Sequence, residues 1–579
     1  MQSKSFFFGS NKSRGFLPNR WDVIAFPLMI GLLALTVIGG KEMSAPLDTL
    51  HTQVISLDPS VLPEYSLRTT LRMLAALAAS LIFTFLYGTL AAKSRRAELV
   101  LIPILDVLQS VPVLGYISFT VVFFMSLFPG KVAGAECAAV FAIFTSQAWN
   151  MTFSFYQSLR TVPRDLEEAS RGFHFSGWQR FWRLEVPFSM PGLIWNMMMS
   201  MSGGWFFVVA SEAITVGDKT ITLPGIGAYV ATAIINRDLH AVGWAILAMT
   251  VVIVLYDQLM FRPLVAWADK FRFEQTAGTE APRSWFLSLM QRTRLVQWIA
   301  GGIGAMLRAF VRLRWPFAVK ARPLNVKPTR LSLVVDWVWY LIVAVLAVYV
   351  AWLLVSFMEK ELTWADFGHV LLLGLYTLIR VLVLIVLAAV IWVPIGVLVG
   401  LRPALAERVQ AIAQFLAAFP ANLLFPVAVV VIVRFHLSPD IWLSPLIILG
   451  TQWYILFNVV AGASAYPSEF REAAANFHIR GWQWWYKVML PGIFPYFITG
   501  AITASGGAWN ASIVSELVQW GDTTLTAHGL GAYIAQETTA GDYPRIVLGI
   551  GIMSFFVILF NRTLWRPLYG YAERRFRLD

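Results

Sequence analysis

Residues 163–191 read PRDLEEASRGFHFSGWQRFWRLEVPFSMP, and residues 467–495 read PSEFREAAANFHIRGWQWWYKVMLPGIFP. At an offset of 304 the two stretches share Pro163/Pro467, Glu168/Glu472, Phe173/Phe477, His174/His478, Gly177/Gly481, Trp178/Trp482, Pro187/Pro491 and Pro191/Pro495. The correspondence extends outward in both directions. Trp149/Trp453 precede it; Trp205/Trp509, Glu212/Glu516, Gly225/Gly529, Gly227/Gly531, Tyr229/Tyr533 and Arg262-Pro263/Arg566-Pro567 follow. Farther upstream the offset becomes 308, in Arg72/Arg380, Gly88/Gly396 and Pro112/Pro420. Chance does not align so many Trp, Pro, Gly and charged residues in order. The chain is an internal duplication, and the small change of offset means that a few loop residues differ between the halves.

Each half is strongly apolar. Of 579 residues 58% are hydrophobic and 13% charged, against about 25% charged in a soluble domain. The runs at 21–40, 73–92, 335–357 and 371–399 approach or exceed the length needed to cross a bilayer as helix, roughly 20 residues. The first run is too long for a signal-peptide core and no clear small-residue cleavage site follows it, so it reads as a retained helix. Six helices are predicted in each half: near 21–40, 69–92, 98–128, 134–158, 189–213 and 241–262, then near 335–357, 371–400, 408–434, 441–463, 493–517 and 545–562. The fold class is therefore an all-α membrane protein with about twelve transmembrane helices. An even number of crossings per half makes the halves two parallel six-helix repeats.

The net charge of +12 does not indicate nucleic acid, because the basic residues sit in short loops and at termini. Lys4, Lys12, Arg14 and Arg20 precede the first helix without an acid among them. Residues 41–67 carry Glu42, Asp48, Asp58 and Glu64 against Lys41, and the next loop carries Lys93, Arg95 and Arg96. This alternation places the N-terminus in the cytoplasm, and the even helix count returns the C-terminus to the same side. The domain reading is a cytoplasmic N-terminus at 1–20, a first membrane domain at 21–270, a basic cytoplasmic linker at 271–334 and a second membrane domain at 335–579. Within the linker, 286–311 mixes Trp, Leu and Phe with Arg. It reads equally as an interfacial helix on anionic lipid or as a basic tether. Cys137 is the single cysteine, so no intrachain disulfide or cysteine metal cluster forms.

Between the fourth and fifth helices of each half lies a long polar segment: Glu168-Ala169-Ser170, then His174, Gly177 and Val186-Pro187; and Glu472-Ala473-Ala474, then His478, Gly481 and Leu490-Pro491. Its pattern is a short helix, a break, a second helical piece, and a proline that starts the next membrane helix. This resembles the EAA loop of ABC importer permeases. In that family the segment is the coupling helix, which docks in a groove of the ATPase. The resemblance covers nearly the whole chain except the linker, and it implies a type I ABC importer-like fold. It assigns ATPase coupling to Glu168, Ala169, Ser170, His174, Gly177, Glu472, Ala473, Ala474, His478 and Gly481. The family's glycine slot is filled here by His174 and His478. His tolerates a left-handed backbone better than most residues, so the turn survives; metal binding or pH sensing is the rival role.

The order Trp, small-Glu, Gly-aliphatic-Gly (Trp205, Ser211-Glu212, Gly225-Ile226-Gly227; Trp509, Ser515-Glu516, Gly529-Leu530-Gly531) is similar to the nitrate/sulfonate/taurine/bicarbonate branch of these permeases. That resemblance implies a small anionic solute. Arg72, Glu212, Arg380 and Glu516 are the translocation-path candidates, since an ionisable group at membrane depth is functional by default. Each has a plainer reading: the glutamates cap backbone N–H groups of the following loop, and the arginines snorkel to headgroups.

No Gly-x-x-x-x-Gly-Lys-Ser/Thr motif occurs, so this chain does not cradle ATP. No catalytic constellation or metal-ligand spacing is present, and the reading is a transport subunit rather than an enzyme. ATP and Mg2+ are expected in two copies of a partner ABC ATPase, with a periplasmic solute-binding protein as a further candidate partner. The expected location is the bacterial inner membrane. The alternative is a twelve-helix secondary transporter, which uses no ATP and has no need of two such segments; purification with an ATPase discriminates.

Overall fold

The computed structural model describes Pro46 and residues 55–216, 219–271, 284–312, 330–358 and 362–576. The first predicted helix, at 21–40, lies outside the described residues. The first half then contains α1 (Pro59–Lys93), α2 (Arg95–Ser110), α3 (Ile117–Leu127), α4 (Val132–Arg160), α5 (Arg164–Gly172) and α6 (Gly177–Ser211). A hairpin, β1 (Ala213–Val216) with β2 (Lys219–Thr222), leads to α7 (Ile226–Ile235) and α8 (Leu239–Phe271). The linker supplies α9 (Trp285–Arg292) and α10 (Arg294–Arg312). The second half opens with α11 (Arg330–Met358), α12 (Trp364–Gly400), α13 (Pro403–Ala418) and α14 (Phe425–Arg434). It continues with α15 (Pro439–Leu449), α16 (Gln452–Ser464), α17 (Ser468–Asn476) and α18 (Trp482–Ser515). Hairpin β3 (Leu517–Trp520) and β4 (Thr523–Thr526), α19 (Leu530–Ala540) and α20 (Tyr543–Ala572) complete it. Seven helices among the described residues are long and apolar enough to cross a membrane, and up to ten if each bent pair is one span. The protein is a multi-pass membrane protein.

Prolines explain where the elements depart from straight predicted helices. The third predicted helix of each half is broken: α2 meets α3 at 91° and α13 meets α14 at 77°. Pro112 and Pro420 stand at the two corners. A proline disfavours helical backbone in the residue before it, and Val111 and Phe419 are extended, each with ψ 126°. The membrane helices expected to start at Pro187 and Pro491 instead begin earlier, and α6 and α18 run continuously through the prolines. A widened turn just before each proline, at Phe181–Glu185 and Trp485–Met489, absorbs the ring and the missing donor. The same device recurs at Asp257–Phe261 before Pro263 and at Asn561–Trp565 before Pro567.

The hairpins were not anticipated, the fifth helices being expected to reach 213 and 517. Both helices end at Ser211 and Ser515. The stretch Ile214-Thr215-Val216 is β-branched throughout, which suits paired strands. In the second hairpin Gly521 supplies φ +58° for the tight turn. Trp205 and Trp509, each 1% exposed, anchor the cores of their halves.

The halves clasp each other through the proline corners. Val113 N–H donates to Asn510 Oδ1 at 2.7 Å, and Asn422 Nδ2 donates to the Phe206 carbonyl at 3.3 Å. Each corner thus leans on the fifth helix of the opposite half. Gly521 N–H also donates to the Ile234 carbonyl at 2.9 Å, and Arg237 pairs with Asp522 at 2.8 Å.

Candidate functional site

Helices α5 and α17 both follow a proline, Pro163 and Pro467, whose fixed φ suits the helix start. Both end in the same left-handed turn, with His174 at φ 53° and His478 at φ 54°. The His174 and Phe175 N–H groups return to the Arg171 and Ser170 carbonyls at 2.9 and 3.1 Å. The His478 and Ile479 N–H groups do the same to Ala475 and Ala474, at 3.1 and 2.9 Å. This double closure satisfies the last carbonyls of each helix. Glu168, Ala169, Glu472 and Ala473 are exposed, whereas Ser170 and Ala474 are buried against the protein. Gly177 begins α6 behind a Ser176 capping box, while Gly481 reaches φ +58°. Phe173 and Phe477 stand 73% and 78% exposed beside the acidic residues. No group of three or more His, Cys, Asp or Glu residues suited to a metal ion occurs among the described residues.

Arg72 and Glu212 belong to a single buried cluster. The Arg72 guanidinium grips Glu136 bidentately at 2.7 and 2.6 Å, and its Nη1 reaches Glu212 at 2.7 Å. The Pro224 carbonyl accepts a further bond from Nη1 at 2.9 Å. Glu212 is fully buried and accepts from Thr69 Oγ1 and the Gly227 N–H, both at 2.7 Å. Thr69 in turn accepts from the Ile226 N–H at 3.0 Å. The second half repeats the arrangement. Arg380 pairs with Glu516 at 3.1 Å and Asp440 at 3.0 Å. Glu516 accepts from Thr377, Gly531 and Ala532 at 2.9, 2.8 and 3.2 Å.

These bonds account for the Gly-aliphatic-Gly motif. A Cβ at Gly225 or Gly529 would sit 2.4 or 2.2 Å from the glutamate carboxylate, and one at Gly227 would strike the Val209 carbonyl at 2.2 Å. The motif lets the start of α7 or α19 close over the buried carboxylate, where free N–H groups and the helix dipole favour negative charge. Sequence reasoning missed Thr69, Thr377, Glu136 and Asp440. The repeat held the signal, because Thr69/Thr377 obey the offset of 308 and Glu136/Asp440 that of 304.

Between the halves lies a cavity of about 80 Å3, walled by Phe206 and Phe207 of α6 and by Thr451, Tyr454 and Asn510 of the second half. Among the described residues no charged side chain lines it. The Thr451 hydroxyl is buried and makes no hydrogen bond among the described residues.

The family model for the binding-protein-dependent transport system inner membrane component matches the chain twice, over residues 59–262 and 392–577. The bicarbonate transport system permease protein CmpB of Synechocystis sp. is 26% identical over 178 residues, 31% of this chain and 60% of that protein. The nitrate import permease protein NrtB of Leptolyngbya laminosa is 24% identical over 182 residues, 31% of this chain and 62% of that protein. The glycine betaine/proline betaine transport system permease protein ProW of Escherichia coli is 26% identical over 185 residues, 30% and 50% respectively. The matched segment spans less than two thirds of each relative.

Proposed function

We propose that this chain, which belongs to the family of binding-protein-dependent transport inner-membrane components, is the fused permease of an ATP-driven importer for a small oxyanion. The observation that carries ATP coupling is the pair of matching segments, α5 and α17. Each presents an exposed acid and an exposed phenylalanine beyond a rigid, doubly closed helix end. Exposed aromatic groups beside a polar helix suit a docked protein partner, and two copies at equivalent positions suit a paired ATPase. A periplasmic binding protein would deliver solute from the other side. Transport follows from rocking of the halves about their shared interface as the ATPase pair closes.

The solute reading rests on the cavity and on relatives named for bicarbonate and nitrate transport. At about 80 Å3 the cavity is well below the ~150 Å3 that takes a benzene ring. It has room for a solute of few atoms. It holds no carboxylate to repel an anion, and Thr451, Tyr454 and Asn510 offer neutral donors.

The test is reconstitution with the ATPase and measurement of ATP-dependent uptake. Glu168→Ala with Glu472→Ala should insert normally yet bind the ATPase weakly and lose stimulated hydrolysis. Normal transport by this double variant removes the coupling assignment. Uptake of glycine betaine in place of nitrate or bicarbonate removes the anion.

A further inference from the structure

The linker makes a contact that breaks the repeat. Trp178 Nε1 donates to the Phe310 carbonyl of α10 at 3.0 Å, and the Phe310 ring lies edge-on to Trp178 and Trp182, with centroids 5.0 and 5.9 Å away. Trp178 stands at the start of α6, immediately beyond α5. Its counterpart in the second half, Trp482, is 77% exposed. The linker is also tied down at its other end, where Trp285 Nε1 of α9 donates to Gln258 Oε1 on α8 at 3.2 Å. Helices α6 and α8 are long and apolar enough to cross the membrane. An element held at the start of one and toward the end of the other lies at the bilayer boundary.

Helix α10 has the composition for that position. No acid occurs from Trp285 to Arg312, while Arg292, Arg294, Arg308 and Arg312 are basic. At 3.6 residues per turn, Ile299, Ile303, Met306 and Phe310 share one face, and Arg294, Arg308 and Arg312 share the opposite one. Ile303 and Met306 are 52% and 71% exposed, so the protein leaves much of this apolar face uncovered. A basic amphipathic helix with an exposed apolar stripe partitions into the interface of an anionic leaflet.

We propose that α10 is an in-plane membrane helix, with its apolar face in the acyl boundary and its arginines on anionic headgroups, and that it braces the first ATPase-docking segment through Trp178. Among the described residues the brace is single, so the two segments are inequivalent: α5 is tied to the lipid surface and α17 lacks that tie. The lipid contact stands apart from the importer reading, on which only the word docking rests.

The experiment uses the full chain in a Cys137→Ser background, with a fluorophore on Ile303→Cys or, on the other side of the helix, Gln297→Cys. The protein is reconstituted in phosphatidylcholine vesicles with or without phosphatidylglycerol carrying brominated acyl chains. Bromine should quench position 303 several-fold more strongly than position 297, with aqueous iodide showing the reverse order. Arg308→Glu with Arg312→Glu should open position 303 to iodide in the anionic vesicles. Equal access of iodide to both positions overturns the membrane placement. For the brace, a spin label at Phe173→Cys should gain mobility on Phe310→Ala while one at Phe477→Cys stays unchanged. Equal responses overturn it. Neither arm needs the ATPase, so failure here is separable from failure of the importer reading.

Discussion

Arg72 holds its positive charge between Glu136 and Glu212, both at hydrogen-bonding distance, with Glu212 wholly buried. Removing the cation leaves the buried Glu212 and the largely buried Glu136 without their counter-charge. Arg72→Gln should therefore destabilise the protein by about 3–5 kcal/mol, read as a fall in thermal unfolding temperature in detergent. Arg380→Gln should have a smaller effect, because Asp440 is 42% exposed and water can replace part of what is lost. The Arg72 effect should persist at high salt, since buried pairs are screened little. A loss of uptake that disappears in salt while the folded state is untouched would instead mark a steering charge. Thr451 behaves oppositely. Its hydroxyl has no partner among the described residues, so Thr451→Val should leave stability unchanged. If the hydroxyl bonds the solute, that variant should raise the half-saturating concentration about fivefold, the equivalent of one neutral hydrogen bond.

The helix-end turns of α5 and α17 show how one backbone requirement constrains a whole element. His174 and His478 occupy left-handed backbone at φ 53° and 54°, a region that β-branched residues avoid. His174→Gly with His478→Gly should preserve ATPase binding, because glycine enters this region freely. His174→Val with His478→Val should weaken it by unseating the helix ends. Pull-down with the ATPase separates the two outcomes. A strong loss in the glycine variants would show that the imidazole itself acts. The widened turns before Pro187, Pro263, Pro491 and Pro567 make a related point. The same residue type bends the third helices sharply at Pro112 and Pro420, where no such turn precedes it.

At the scale of the molecule, parallel repeats put corresponding loops of the two halves on one side of the membrane. Cysteines placed at 41–67 and 358–370 should react with an impermeant reagent from outside in intact cells. Reaction of either loop only after permeabilisation would break the parallel topology. The halves are not mirror copies in chemistry. Phe206 and Phe207 face the cavity from one side and Asn510 from the other, so the cavity is asymmetric where a homodimer's would be symmetric.

The duplication, the membrane class and the two polar segments were legible in the sequence because each is written in local order: period, apolar length, and motif spacing preserved at 304 residues. The proline corners were half legible, since Pro112 and Pro420 were matched without their sharp bends being foreseen. Whether a membrane proline bends a helix or is absorbed is decided by packing around it, since Pro394 lies inside the unbroken α12 with no widened turn before it. The charged residues were legible as candidates but not as a set. Arg72 and Glu212 stand 140 positions apart, and nothing local says that they meet; only the packing of α1 against the end of α6 brings them together. The same holds for the brace on Trp178. Two tryptophans with identical motifs become different residues when a linker that exists once packs against one of them.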